Sequence, residues 1–502
     1  MKKSVLAMAT LVGLTSTSAS AFDYFFQTGR SSGYGSAGTT YAHWSAAANY
    51  NPALIGSAAG TDEDFFLALN LSARLVEQND AIDTMDEFSE NTDDFDGFSD
   101  VNLLEDDIEL LQSNIDSANN LTDSIEKLDG AGFNLGIGVN GGLGMSFESF
   151  AMSFQVNTQV VIGGKVNVAE DDTATFRRFA ELGQVLIDDV RPLYDDLAEK
   201  EAELAAIQES YDAGNATQDE VNDAQLLVNE AEVIAEDAKN TQVGIETEFA
   251  DVFDTDSQSI KFDEEDLKSN TRLAAIAWAE AGMTVGSNWQ LDGGKVLSVG
   301  ATFKTVQLEF FDYQASTSGF EDDNVDDDQY RSSESFVTAD IGAILALDSA
   351  DKWRVGVSVK NLNGVTITSN PDGLAADQEE LIFEVKPQVR IGTSYNGDWY
   401  RVAADVDVTE SQGPHFADGT EFFQGTQYAS LGLVLNAWDF AELRAGYRHN
   451  LIEADDTLAK TTDAQGLYTA GIGLYLGPIQ IDLGVQASED QVGANLQTMI
   501  TW

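Results

Sequence analysis

In the last part of the chain, apolar residues keep to one parity segment after segment, and this constrains the fold more than any other feature. Val492, Ala494, Leu496, Ile500 and Trp502 share one parity, and Ile479, Ile481, Leu483, Val485 and Ala487 form the set before it. Tyr468, Ala470, Ile472, Leu474 and Leu476 precede these across Gly477-Pro478. A period of two puts such residues on one face of an extended strand and polar or small residues on the other. Repeated through a chain, it is the pattern of a barrel whose outer face meets lipid.

The pattern continues upstream. Leu443, Ala445 and Tyr447 alternate, as do Ala429, Leu431, Leu433 and Leu435. Tyr400, Val402, Ala404, Val406 and Val408 follow the rule, and Phe383, Val385, Val389 and Ile391 read as one further strand. Asn396-Gly397-Asp398 joins these two as a hairpin turn. Trp353 to Val359 and Val337 to Leu347 alternate. Leu297, Val299, Ala301 and Phe303 make a longer strand expected to bulge before Phe310. Phe150 to Ile162, Phe133 to Phe147 and Phe65 to Leu75 complete the set, with an alanine-faced strand from Leu273 to Trp289. The expected fold is an all-β membrane protein, an antiparallel transmembrane β-barrel of about 14 strands. No run beyond the first residues is apolar for long enough to cross a membrane as a helix. A closed barrel is then the remaining way to satisfy the backbone in lipid.

Connection lengths set the topology. Short turns at Gly477-Pro478, Ala437 to Asp439, Asn396 to Asp398, Asp348 to Lys352, Leu291 to Gly294 and near Glu148 alternate with longer connections. Outer-membrane barrels place short turns in the periplasm and long loops outside. The short Ser488 to Gln491 turn is the exception. Two long insertions, at 77–131 and 164–271, switch to helical spacing. Val101, Leu104, Ile108, Leu111 and Ile115 recur at three and four in the first. In the second, a helix over about 173–211 turns at Gly214, and Thr217 with Glu220 forms a capping box for a return helix. Leu226, Val233 and Ile234 are its expected packing stripe. Both insertions are expected to be extracellular, either as helices packed on each other or as a surface for another cell or protein.

The first 21 residues have the layout of a cleaved signal peptide: Lys2 and Lys3, an apolar stretch from Val5 to Leu14, then Ala19-Ser20-Ala21 before Phe22. Export to the outer membrane of a Gram-negative cell follows, with outer-membrane lipid and the barrel-insertion machinery as partners. A net charge of −60, from 86 acidic against 26 basic residues, excludes nucleic acid as the main partner. With no cysteine, disulfides and thiolate chemistry are excluded as well.

The polar parity carries charge: Arg354, Lys360, Glu384, Lys386, Arg390, Arg401, Asp405, Asp407, Arg444, Arg448 and Asp482 alternate with lipid-facing positions. Such residues either line a polar path or pair with one another and fill the lumen. Acidic clusters at 92–96, 321–328 and 453–456 lack the spacing of a calcium loop. The three histidines suggest no metal site, and no catalytic constellation, cofactor or nucleotide loop stands out.

The segment Gly29-Arg30-Ser31-Ser32-Gly33-Tyr34-Gly35-Ser36-Ala37-Gly38, followed by Ala46 to Leu54 with Asn51-Pro52-Ala53, resembles the start of the FadL-type outer-membrane transporters. Within that superfamily the acidic, helix-inserted layout is similar to the group known as conjugal transfer protein TraF. The resemblance implies an N-terminal plug at 22–60, with Gly33, Gly35, Asn51, Pro52 and Ala53 as its motif, ahead of a fourteen-stranded barrel at 61–502. For FadL relatives it implies passage of small hydrophobic molecules, gated by the plug. A structural or surface-interaction role, linked to conjugal transfer and with the barrel as anchor, is the alternative. Arg30 is expected to meet Asp405 or Asp407 inside the lumen. The helical insertions exceed what a fatty-acid transporter needs.

Overall fold

The computed structural model describes residues 27–502 apart from 79–80, 82–83, 85–86, 89–107, 251–252, 255–258, 261–267, 317–326, 375–377, 424, 439, 453–465 and 489–490. The signal-peptide reading, Val101, Leu104 and most of the acidic clusters lie outside the described residues.

Fourteen strands form a closed transmembrane barrel. In chain order they are β1 (Phe65–Gln78), β2 (Gly132–Ser146), β3 (Ala151–Asn167), β4 (Asn270–Gln290), β5 (Val296–Ser316), β6 (Arg331–Ala346) and β7 (Trp353–Lys360). They continue as β8 (Gln388–Asn396), β9 (Tyr400–Asp407), β10 (Tyr428–Trp438), β11 (Ala441–Asn450), β12 (Gly466–Leu476), β13 (Ile479–Ala487) and β14 (Gln491–Thr501). Each pairs antiparallel with the next, and β14 returns to β1 with Leu71 opposite Leu496. Leu69, Val357, Leu431, Leu433 and Leu483 are exposed on the outer face, as their parity requires. At the short-turn end Trp289, Trp353, Trp399, Trp438, Phe440 and Trp502 are exposed in a girdle, with Phe65 stacked on Trp502 at 4.3 Å. Amphipathic rings favour that level, between lipid and water. Arginine in place of Leu433 should therefore cost roughly 2–4 kcal/mol in refolding titrations, and a tolerated Leu433→Arg would contradict this register.

Three expectations fail for identifiable reasons. No bulge precedes Phe310: β4 and β5 pair without interruption from Asn270–Ser316 to Gln290–Val296. Instead the inner face turns apolar, and Val306, Leu308 and Phe310 are buried inside the barrel with Ile276 and Trp278. Phe383 and Val385 are not lipid-facing. They belong to the short strand Ile382–Val385, which pairs with Val365–Thr368 in the β7–β8 connection and packs into the same interior cluster. Leu226, Val233 and Ile234 are exposed, not packed.

Among the described residues the insertions carry four long helices, α1 (Ile108–Leu128), α2 (Glu170–Val185), α3 (Arg191–Asp212) and α4 (Gln218–Glu248). Among the described residues no helix is long and apolar enough to cross a membrane. A π turn at Leu186–Val190 divides α2 from α3. Pro192 lacks the N–H that would bond the Asp188 carbonyl, which loosens the ladder there. Thr217 and Glu220 form the expected box: Thr217 N donates to Glu220 Oε2 at 2.7 Å, and Glu220 N to Thr217 Oγ1 at 3.3 Å. Val221, Ala224, Val228 and Ala231 are the buried stripe of α4.

Candidate functional site

Residues 27–60 lie inside the short-turn half of the barrel and are almost wholly buried. Thr28 caps a helical turn at Gly29–Ser32, and Ser31 Oγ shares a 2.6 Å hydrogen bond with Tyr50 OH. Gly29 N donates to Asn70 Oδ1 of β1 at 2.6 Å, and Gly35 N to Thr469 Oγ1 of β12 at 2.8 Å. Gly35 has φ 71°, a left-handed turn glycine adopts without steric cost. Asn51 ties the segment to itself: its Nδ2 donates to Thr39 O and its Oδ1 accepts from Ala53 N, both at 2.9 Å. Pro52 then enters the helix Ala53–Ala58, and the carbonyls of Gly56 and of Ala59, just past its end, accept from Asn288 Nδ2. Thus Gly33, Gly35, Asn51, Pro52 and Ala53 all sit where the segment turns or touches the wall.

Sequence reasoning missed the matching surface on the wall. Gly432, Gly446, Gly471 and Gly484 face inward beneath residues 29–35, and Gly300 and Gly342 beneath Asn51–Pro52. A methyl at Gly471 would lie 2.8 Å from the Gly33 Cα. Backbone therefore rests on backbone with no side chain between. The legible signal was glycine recurring at inward parity in neighbouring strands, as in the pairs Gly432–Gly446 and Gly471–Gly484.

The charges form three groups. Arg444, fully buried, donates to Glu442 at 2.7 Å and lies 2.6 Å from Asp482. Arg30 of the N-terminal segment reaches the same Glu442 at 3.3 Å. Arg401 approaches it at 3.5 Å and donates to Tyr41 OH at 2.9 Å. Glu442 is therefore the partner of Arg30, in place of Asp405 or Asp407. Asp405 instead accepts from Thr39 N and Oγ1 at 2.9 and 2.8 Å. Asp407 accepts from Arg390 at 2.9 Å and from Tyr428 N at 2.9 Å, while Arg448 stacks on the Tyr428 ring at 3.8 Å. In the third group Lys304 lies 3.0 Å from both Glu280 and Asp340. Lys360 donates to the carbonyls of Ala48 and Asn49, and Arg354 to that of Thr40 at 3.3 Å. Lys386 is not in the lumen: it is half exposed at the mouth, paired with Glu384 and Gln412.

Beyond the N-terminal segment, the β7–β8 and β9–β10 connections close over the wall made by β3, β4 and β5. Leu381, Phe383, Phe422 and Phe423 are buried there against Trp278, Leu308 and Phe310. The wall made by β1, β13 and β14 is polar at the same end, with Arg74, Gln486 and Asn495 around a cavity of ≈ 40 Å³. A second polar cavity of ≈ 20 Å³ lies between Thr28, Asn49, Asn140 and Gln155. Spaces of this size hold one to a few waters. His43 Nε2 lies 3.0 Å from Glu63, where the segment enters β1, and among the described residues no cluster suited to a metal ion occurs.

The family described as F plasmid transfer operon, TraF, protein matches residues 48–407. No curated protein matches the sequence. Among solved structures, the monoaromatic hydrocarbon channel CymD aligns at 11% identity over 96% of this chain and 98% of its own, with TM-score 0.45. The Pseudomonas putida toluene transporter TodX aligns at 9% over 97% and 98%, TM-score 0.40. A Pseudomonas aeruginosa FadL homologue aligns at 9% over 96% and 99%, TM-score 0.42.

Proposed function

The chain belongs to the F plasmid transfer operon TraF family, whose model covers residues 48–407, and on that premise we propose that it is an outer-membrane channel held shut by its own N-terminal segment. One observation carries this reading. The fourteen-stranded ladder closes on itself, and the segment at 27–60 adds no strand to it. Side-chain hydrogen bonds and the Arg30–Glu442 pair hold the segment in place, so it can leave without breaking the ladder. Small hydrophobic molecules are the proposed cargo, because the inner side chains of β3, β4 and β5 under the β7–β8 and β9–β10 connections are apolar, next to the polar wall of β1, β13 and β14. Uptake by a porin-deficient host tests this. A monoaromatic solute should enter faster than a sugar of similar size, and equal rates would remove the hydrophobic cargo.

The proposed orientation puts the short turns in the periplasm and the helices outside. A tag inserted at Gly214, in the turn between α3 and α4, should then be reached by antibody on intact cells. Labelling that needs a permeabilised outer membrane would reverse the orientation. The α3–α4 hairpin favours a second reading, the barrel as anchor for an external rod, since α4 alone has 31 residues and spans roughly 46 Å. A protein that stays closed to ions and solutes after its N-terminal segment is removed would support the anchor.

A further inference from the structure

The long helix α4 has two faces. Val221, Ala224, Val228 and Ala231 are buried, whereas Leu226 and Val233 are 60% and 61% exposed on the opposite side. Leu227 and Ile234 flank them and are also exposed. Leu226–Val233 and Leu227–Ile234 are each seven residues apart, and so are the exposed acids Asp223 and Glu230. A seven-residue repeat keeps each of the three rows in line along a supercoiled helix. Such a face matches another helix carrying apolar residues at the same repeat and basic residues beside them.

We propose that this face docks a lysine- or arginine-bearing amphipathic helix of another protein, which would lie along α4 on the side away from α3; that this partner is extracellular rests on the orientation proposed above. Charge selects this occupant over a second copy of the chain. Residues 191–248 hold sixteen acidic side chains against three basic ones, so two such faces would set Asp223 and Glu230 against their like. A basic helix turns the same rows into cross-helix pairs.

The test uses the full-length protein in nanodiscs and a synthetic peptide of about three heptads, with leucine on its seam and lysine alongside. Binding is read by fluorescence anisotropy at physiological salt. The double variant Leu226→Gln/Val233→Gln changes only exposed positions of α4 and should weaken binding at least about tenfold. A peptide of the same composition in scrambled order should bind weaker by a similar factor. Glu201→Gln/Glu203→Gln, on the neighbouring α3, should leave the affinity within about twofold. Equal binding of the ordered and scrambled peptides would reduce the attraction to general charge and overturn the proposal. A dimer of the protein that the Leu226/Val233 double variant abolishes would overturn it too, by making the occupant a second copy.

Discussion

Valine in place of Gly446 is expected to lever the N-terminal segment out of the lumen while leaving the barrel folded. A side chain there would overlap the Tyr34 carbonyl carbon and the Gly35 amide, which are backbone atoms and cannot rotate aside. The wall has no room to retreat, because Gly446 is held in the ladder between Gly432 and Thr469. Overpacking a fitted interior costs about 1–3 kcal/mol, and more where backbone meets backbone. The segment is the part expected to yield, since it pairs with no strand of the ladder and is held by side-chain hydrogen bonds, apolar packing and the Arg30–Glu442 pair. Limited proteolysis of the reconstituted protein should then cut within residues 27–60 at least about tenfold faster, with heat-modifiability intact. Gly141→Val is the control, because the nearest atoms to a methyl there are 3.8 Å away. A protected segment in the Gly446→Val variant would mean that the contact is looser than described.

The second large effect is expected at Arg444. Its guanidinium is fully buried between Glu442 and Asp482, themselves 1% and 0% exposed. Arg444→Ala takes from buried Asp482 its ion-pair partner and leaves Glu442 to Arg30 and Arg401 alone, and breaking a buried pair from one side costs about 3–5 kcal/mol. Arg354 offers the contrast, since it is partly exposed and pairs with the more exposed Asp351 near the short-turn rim. Arg354→Ala should cost less than about 1 kcal/mol. Urea titration of the refolded barrels separates the two, and equal midpoints would contradict the packed lumen. The parity pattern alone suggests mild effects at both sites, because it implies a wet lumen. Residues 27–60 instead pack against Arg444, and no period-two signal reports on a segment without strands of its own.

The barrel was legible in the sequence because lipid imposes one rule on every strand, and Leu433, Val357 and Leu483 obey it. The interior was less legible because several rules share it. Lys304, Glu280 and Asp340 lie on the inner parity of β4, β5 and β6, where Trp278 and Phe310 also lie. A face that is apolar at one end and ionic at the other has no single pattern, so in the sequence Phe310 reads as a displaced lipid-facing residue and implies a bulge. Phe383 and Val385 misled for a related reason: a strand buried under a loop alternates like one against lipid. In α4 the apolar residues fall on two faces, and composition could not say which one α3 covers. Arg30 was readable as a lumen charge, but its choice of Glu442 depends on where the chain turns at Gly33 and Gly35.

The proposed gate is tested most directly by single-channel conductance after deletion of Tyr24 to Ser45, with residues 1–23 retained. This removes Arg30, the Gly33–Gly35 turn and the contacts to Asn70, Thr469 and Asp405. The apolar closure lies on the β3–β5 wall, so the freed space adjoins the polar wall around Arg74, Gln486 and Asn495, along which ions can move. A closed wild-type protein and a clear, steady rise in conductance for the deletion are the predicted result. An unchanged conductance in a folded, heat-modifiable barrel would contradict the gate.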